Sequence, residues 1–316
     1  MTTRVLVIGG GQNAEHEVSL GSAAAVAAAL RMSDHDVVCA TIDRDGVWRS
    51  DALPVAQSPA ASLQHALGLI GGVDVVFPAV HGVLGEDGAL AALCALAGVR
   101  VVGSGLRAGA IGMDKWTTKL VARAVGLGTA RGRLVDAADI GDVEFDGPVV
   151  VKPVTAGSSH GVRLVAEEGE LREALYEAAR FDRRILVEEV VRGREIDVAV
   201  LREKGGVRWA APPLEIHAAG VFDTAAKYDG TARFTVPAAL DPGDATALTR
   251  AAVAVFDALG CDGVARMDFF LTDRGPVLNE VNTMPGMTAA SQVPRMFAAA
   301  GVSYVDLVAR LVRAAR

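Results

Sequence analysis

The chain has 316 residues, 51% hydrophobic and 22% charged, a globular balance long enough for two or three subdomains. Its 31 basic and 38 acidic residues leave a net charge of −7 with no basic stripe, so nucleic acid is not an expected partner. No apolar run reaches membrane-spanning length, the start turns glycine-rich too early for a signal peptide, and Cys39, Cys94 and Cys261 are scattered, so a cytoplasmic α/β protein is expected.

In chain order, Arg4–Ile8 reads as a strand entering Gly9-Gly10-Gly11, followed by a helix over Glu17–Leu30 and a strand over Val37–Asp43. Ala56–Ser62 is turn-rich, Ser62–Leu69 helical, Val73–Val80 an apolar buried strand, Gly88–Ala97 a helix and Val99–Gly103 a strand. This alternation predicts a mostly parallel sheet wrapped by helices. Ligands gather at the carboxyl ends of such strands, here the loops Gly9–Glu15 and His81–Gly88. From Asp114 the pattern changes: a helix over Asp114–Val125, a Gly- and Asp-rich stretch over Asp136–Gly147, and strands over Val149–Pro153 and Val162–Val165. A helix over Glu168–Ala179 and a strand over Ile185–Glu189 complete a small α+β unit. The last section opens with a strand over Glu195–Leu201 and closes with a helix over Val305–Ala315. Within it, Val264–Leu271 and Pro276–Leu278 flank the turn Thr272–Gly275 as a β-hairpin. The expected division is 1–110, 111–191 and 192–316.

The hairpin carries charge where a core strand should have none. Arg266 and Asp268 on one strand, and Glu280 and Asn282 on the other, stand two residues apart, so each pair shares a face. Two carboxylates and an amide make an oxygen set suited to Mg²⁺, and the arginine suits a phosphate or an oxyanion. A charged outer face of an edge hairpin would show the same pattern.

Other motifs carry their own alternatives. Gly9 to Ala14 satisfies G-x-G-x-x-A, but Asp43 lies well beyond the spacing of about twenty residues expected for a ribose-binding acid. Glu15 follows at once, placed to hold an amine or orient a partner side chain, while Glu17 suits a helix start. His81 opens HGVLGEDG at a strand mouth; zinc is not expected without a paired histidine, and a buried structural histidine competes with carboxylate recognition. Gly157-Ser158-Ser159-His160-Gly161 matches G-x-S-x-G, yet the chain continues as a strand, whereas a nucleophile elbow requires a helix there. A Gly/Ser loop between strands suits phosphate contact through backbone N–H groups. Lys152, ending the buried strand VVVKP, needs a partner, which phosphate oxygens would supply. The acids Glu188, Glu189 and Glu195 are either solvated or, in a nucleotide cleft, meet adenine and ribose.

Together these segments resemble the D-alanine–D-alanine ligase family of ATP-grasp enzymes. The matching pieces are GGGQNAEHEVSL (9–20), HGVLGEDG (81–88), VGSG (102–105), MDKWTTK (113–119), VVKPVTAGSSHGV (150–162), LVEEVVRGREIDVAVL (186–201), AAKY (225–228), ARMDFFL (265–271) and LNEVNTMPGMTAASQVP (278–294). The resemblance implies an α/β ATP-grasp fold: an N-terminal parallel α/β domain, and two α+β subdomains clasping ATP. By the same resemblance Lys115, Lys152 and the Ser159 loop hold phosphates. Glu188 and the Val191 backbone read adenine, Glu195 reads ribose, and Asn279 borders the nucleotide. Asp268, Glu280 and Asn282 bind two Mg²⁺ ions, with Mn²⁺ a possible substitute. Glu15, Ser158 and Tyr228 position substrate, Lys227 reaches the γ-phosphate, and Arg266 with the Gly286 amide meets the oxyanion. His81, Ser291 and Gln292 border the amino-acid substrates. The expected activity is ATP-dependent joining of two D-alanines for peptidoglycan, by a cytoplasmic homodimer. Some positions depart from the family pattern: Ala156 replaces a usual glutamate, Gln292 a leucine or methionine, and Phe222 and Thr224 stand where tyrosines are common. A polar Gln292 raises the alternative of a polar acceptor amino acid.

Overall fold

The computed structural model describes residues 2–51, 58–217 and 233–316. Three sheets are formed by these residues. The first has the order β3-β2-β1-β4-β5, from β1 (Arg4–Gly10), β2 (Asp36–Ile42), β3 (Trp48–Arg49), β4 (Val75–Pro78) and β5 (Arg100–Val101). The pairings of β1 with β2 and β4, and of β4 with β5, are parallel, as the strand–helix alternation implies. Helices α1 (His16–Met32), α2 (Pro59–Gly71) and α3 (Ala89–Leu96) connect these strands. Helix α2 starts earlier than predicted because Ser58 caps it by accepting from Ala61 N–H, with Pro59 in its first turn.

Helices α4 (Leu106–Met113) and α5 (Lys115–Ala124) follow, and the Asp114 side chain caps α5 by accepting from Thr117 N–H. Strand β6 (Gly128–Thr129) leaves for the third sheet. The second sheet is antiparallel, in the order β7-β10-β8-β9, from β7 (Gly132–Asp136), β8 (Val149–Pro153), β9 (Arg163–Val165) and β10 (Arg184–Glu189). Helix α6 (Glu168–Ala179) packs Leu171, Ala174, Leu175 and Ala178 on Val151, Val165 and Ile185. The Gly/Asp-rich stretch contains a 3₁₀ turn over Ala137–Asp142, with Ile140 buried in that core.

The third sheet has the order β14-β13-β11-β15-β16-β6, from β11 (Arg194–Arg202), β13 (Leu214–His217), β14 (Arg233–Thr235), β15 (Val264–Thr272) and β16 (Gly275–Asn282), with β12 (Arg208–Ala210) beside β11. Ile196, Val198, Met267 and Phe269 alternate onto one face and bury against α7 (Pro242–Leu259) through Leu248, Val255 and Phe256. The other face keeps the polar residues. Helices α8 (Gln292–Ala299) and α9 (Tyr304–Ala314) join a core holding Val5, Val26 and Phe77 from the first sheet and Leu201 and Leu214 from the third. The first and third sheets are thus one packed body, while the second has its own core.

Candidate active site

A cavity of about 920 Å³ lies between the three sheets. The polar face of the third sheet forms one wall. Ladder pairing places Asp197 opposite Asp268 and Asp268 opposite Glu280, so three acids cross three strands in one row. Arg266 pairs with Asn282 in the next row and donates from Nε and Nη2 to the two Asp268 oxygens at 2.7 and 2.8 Å. Its Nη1 donates to Gln292 Oε1 at 2.6 Å, and Asp197 Oδ2 lies 3.3 Å from Nε. Gln292 Nε2 then donates to Asp197 Oδ2 at 2.7 Å, and Asn282 Nδ2 donates to Asp268 Oδ2 at 3.0 Å. Burial would lower the Arg266 pKa, but the Asp268 and Asp197 charges outweigh it and hold the guanidinium well above its ordinary value. The register shifts between Asp268 and Phe269, which makes Asn279 a bulged residue of β16 without a ladder partner, so Asn279 and Glu280 both line the cavity despite being adjacent.

The second sheet supplies cations. Lys152 at the end of β8 lies 2.7 Å from Glu188 Oε2 on β10 and donates to Asn279 Oδ1 at 3.1 Å. Lys119 lies 2.8 Å from the other Glu188 oxygen. Burial would raise the Glu188 pKa, but Lys152 and Lys119 together pull it below its ordinary value. Lys119 shows the reverse balance: burial and the neighbouring Lys152 push it down to about 8 in spite of Glu188. Lys115 donates to the Ala156 carbonyl at 2.6 Å and stands 3.5 Å from Glu280. The 155–162 loop therefore reaches Lys115 through its backbone, so this contact does not depend on the side chain at 156. Ser158 and Ser159 sit in left-handed backbone (φ 48° and 58°), where most residues are strained, and Ser159 lines the cavity.

The first sheet closes the third wall. Ser158 Oγ donates to Glu15 Oε1, joining the Ser-rich loop to the α1 N-terminus. The glycine loops wrap this carboxylate: a Cβ at Gly82 would meet Glu15 Oε2 at 2.7 Å, and one at Gly157 at 2.6 Å. His81 is buried, with Nε2 at 2.8 Å from Ser22 Oγ and Nδ1 at 2.8 Å from the Met284 carbonyl. Burial alone would lower its pKa, yet the Glu86 carboxylate at 3.8 Å raises it, and burial raises Glu86. Gly286 and Ser291 line the cavity, with Ser291 Oγ accepting from Thr288 N–H at 3.1 Å. Glu188, Val191 and Glu195 line its far end.

Every site residue expected from sequence and described here therefore borders one cavity, whereas a charged outer face of an edge hairpin would have left the acids in open solvent. Phe222, Thr224, Lys227 and Tyr228 lie outside the described residues. Among the described residues no three His, Cys, Asp or Glu side chains form a closed metal cage. Two facing carboxylates with an amide instead fit Mg²⁺, which keeps waters and takes its remaining oxygens from phosphates. Sequence reading passed over Lys119, Asp197 and Glu86 as individual site residues. Lys119 was signalled by standing one helical turn after Lys115, and Asp197 by sharing a strand face with Glu195.

Family models described as D-ala D-ala ligase N-terminus and D-ala D-ala ligase C-terminus match residues 4–104 and 138–313. A D-alanine–D-alanine ligase of Mycolicibacterium smegmatis is 39% identical over 352 aligned positions, covering 98% of this chain and 94% of the relative. Among solved structures, the VanG D-Ala:D-Ser ligase from Enterococcus faecalis superposes with a TM-score of 0.84 at 30% identity, covering 99% of each chain. The D-alanine–D-alanine ligase from Coxiella burnetii gives 0.80 at 30% identity, covering 99% of this chain and 93% of that one. With both family models and a near-full-length relative in agreement, the chain belongs to the D-alanine–D-alanine ligase family and has its ATP-grasp fold.

Proposed function

We propose that the protein joins two D-alanines into D-alanyl-D-alanine, converting ATP to ADP and phosphate, as a step of peptidoglycan precursor synthesis. One observation carries the reading: Arg266, the Asp268–Glu280 row, Lys152 and the Glu15–Ser158 pair all border a single cavity. A carboxylate is a poor electrophile, so an oxygen of the first D-alanine attacks the γ-phosphorus and ADP leaves. The amine of the second D-alanine then attacks the acyl-phosphate carbonyl, loses a proton, and phosphate departs.

The residue roles are those that the family resemblance implies, and the placement of these side chains around one cavity supports them. Lys115 and Lys152 face phosphates, Ser159 brings its loop over them, and Asn279 borders them. Glu188 and the Val191 backbone meet adenine, and Glu195 the ribose. Asp268, Glu280 and Asn282 hold two Mg²⁺ ions, which neutralise phosphate charge when bound. Glu15, oriented by Ser158, faces the first D-alanine, with His81 behind it. Arg266 and the Gly286 amide stabilise the tetrahedral oxyanion, as preorganised donors in a dry site do. Ser291 borders the second D-alanine. Lys227 and Tyr228 are assigned to the substrate-covering loop. Cytoplasmic action fits these substrates, and no helix among the described residues is long and apolar enough to cross a membrane. A homodimer is the expected assembly, testable by light scattering.

Phosphate release should require ATP, Mg²⁺ and D-alanine together, with D-alanyl-D-alanine as product. No turnover with D-alanine would sink the assignment.

A further inference from the structure

The buried charges behind the nucleotide end of the cavity do not balance. Lys119 and Lys152 share the single carboxylate of Glu188, one on each oxygen, at 2.8 and 2.7 Å. The two lysines are not equivalent. Lys152 lines the cavity and also reaches Asn279, whereas Lys119 is 1% exposed and lies behind Glu188, away from the cavity wall. A phosphate entering the cavity can meet Lys152 but not Lys119.

If Glu188 had Lys152 alone, moving that lysine to a phosphate would strand an ionised carboxylate in the interior, which is strongly unfavourable. A second ammonium on the far oxygen removes this obstacle. We propose that Lys119 is a positioning residue: it stays as the counter-ion of Glu188, so that Lys152 can exchange this carboxylate for a nucleotide phosphate oxygen. Burial first, and Lys152 next, depress the Lys119 pKa to about 8, which still leaves the ammonium mostly protonated at neutral pH. The inference rests on the ATP-binding reading above.

The test compares ATP–Mg²⁺ with adenosine, which lacks phosphates, in wild type, Lys119→Met and Lys119→Arg. In Lys119→Met, Lys152 stays on Glu188, so ATP binding weakens by about tenfold or more, one decade of dissociation constant. Adenosine binding stays within about threefold of wild type, and Lys119→Arg recovers most of the ATP affinity because it keeps the charge. A general distortion of the cleft would weaken both ligands equally. An unchanged ratio of adenosine to ATP dissociation constants in Lys119→Met overturns the role. If that variant does not fold, lysine side-chain NMR of the wild type decides: ATP should shift the Lys152 ammonium resonance and leave Lys119 paired with Glu188. A Lys152 resonance unmoved by bound ATP overturns it equally. Failure of the wild type to bind ATP at all would instead count against the proposed function.

Discussion

Gln292 is the residue whose meaning changes most between sequence and structure. A polar side chain there suggests room for a polar acceptor, but both ends of its amide are committed, to Arg266 and to Asp197. Its job is therefore to hold the guanidinium fork against the acids. Gln292→Leu should lower kcat, and should cost about 1–3 kcal/mol in urea denaturation by removing its hydrogen bonds to the Arg266 guanidinium and to buried Asp197. D-serine should remain a poorer acceptor than D-alanine in both proteins; a wild-type preference for D-serine that disappears in the variant would restore the acceptor role. Glu188 gives a second test, through pH. Its native pKa lies below the ordinary 4.5, so the stability it contributes is full above 4.5 and is lost as pH falls through the depressed value. Glu188→Gln leaves two buried ammonium groups without a carboxylate, a loss of about 3–5 kcal/mol at neutral pH. The gap between wild type and variant should narrow in urea titrations taken progressively below pH 4.5, and a gap constant down to strong acid would contradict the assigned charge.

At the scale of elements, the β15–β16 hairpin places most of the third-sheet wall, and one irregularity lets it do so. Regular alternation would send Asn279 and Glu280 to opposite faces, yet the bulge brings both to the cavity while Leu278 stays buried. Asn279→Ala keeps the bulge and loses one hydrogen bond to Lys152, so it should cost about 1 kcal/mol and leave expression intact. Deleting Asn279 makes Leu278 and Glu280 consecutive opposite Phe269 and Asp268, so both keep their faces and the fold should survive, while the cavity loses the Asn279 amide. Comparing soluble yield and thermal unfolding of the two variants checks this, and a deletion variant that fails to fold where Asn279→Ala folds would mean that the fold requires the bulge. The period-two charge pattern made the hairpin legible in sequence, but the bulge was not, since it depends on pairing with β15. Helix α7 carries its own signals in the sequence: Asp241 and Pro242 open it, Gly260 closes it in left-handed backbone, and apolar residues recur on one face. Strands β12, β13 and β14 lack such signals, being three or four residues long and held only by their neighbours. For Lys119 the spacing from Lys115 is a signal, but its burial is not legible. A lysine on an amphipathic helix ordinarily faces water, and only the packing of α5 onto β16 and α7 turns it inward, where it meets Glu188.

The whole molecule consists of two packed bodies around one cavity. His81 meeting the Met284 carbonyl and Ser22 meeting the Met287 amide tie the first sheet to the third, within the core they share. The second sheet keeps a separate core and touches the others through polar contacts, including Lys152 to Asn279 and Ser158 to Glu15. A ligand gripping Lys152 on one side and Asp268 and Glu280 on the other spans both bodies. Binding to the native state alone stabilises by mass action, about 2.7 kcal/mol at a hundredfold excess over Kd. ATP–Mg²⁺ should therefore raise the unfolding temperature, and hydrogen exchange should slow in β8 and β10 as well as in β15 and β16. Glu280→Gln removes a contact on the third-sheet side only, so it should reduce the protection that ATP–Mg²⁺ gives to both bodies. Protection lost from β15 and β16 but kept in β8 and β10 would mean that the nucleotide rests on the second sheet alone, without bridging the cavity.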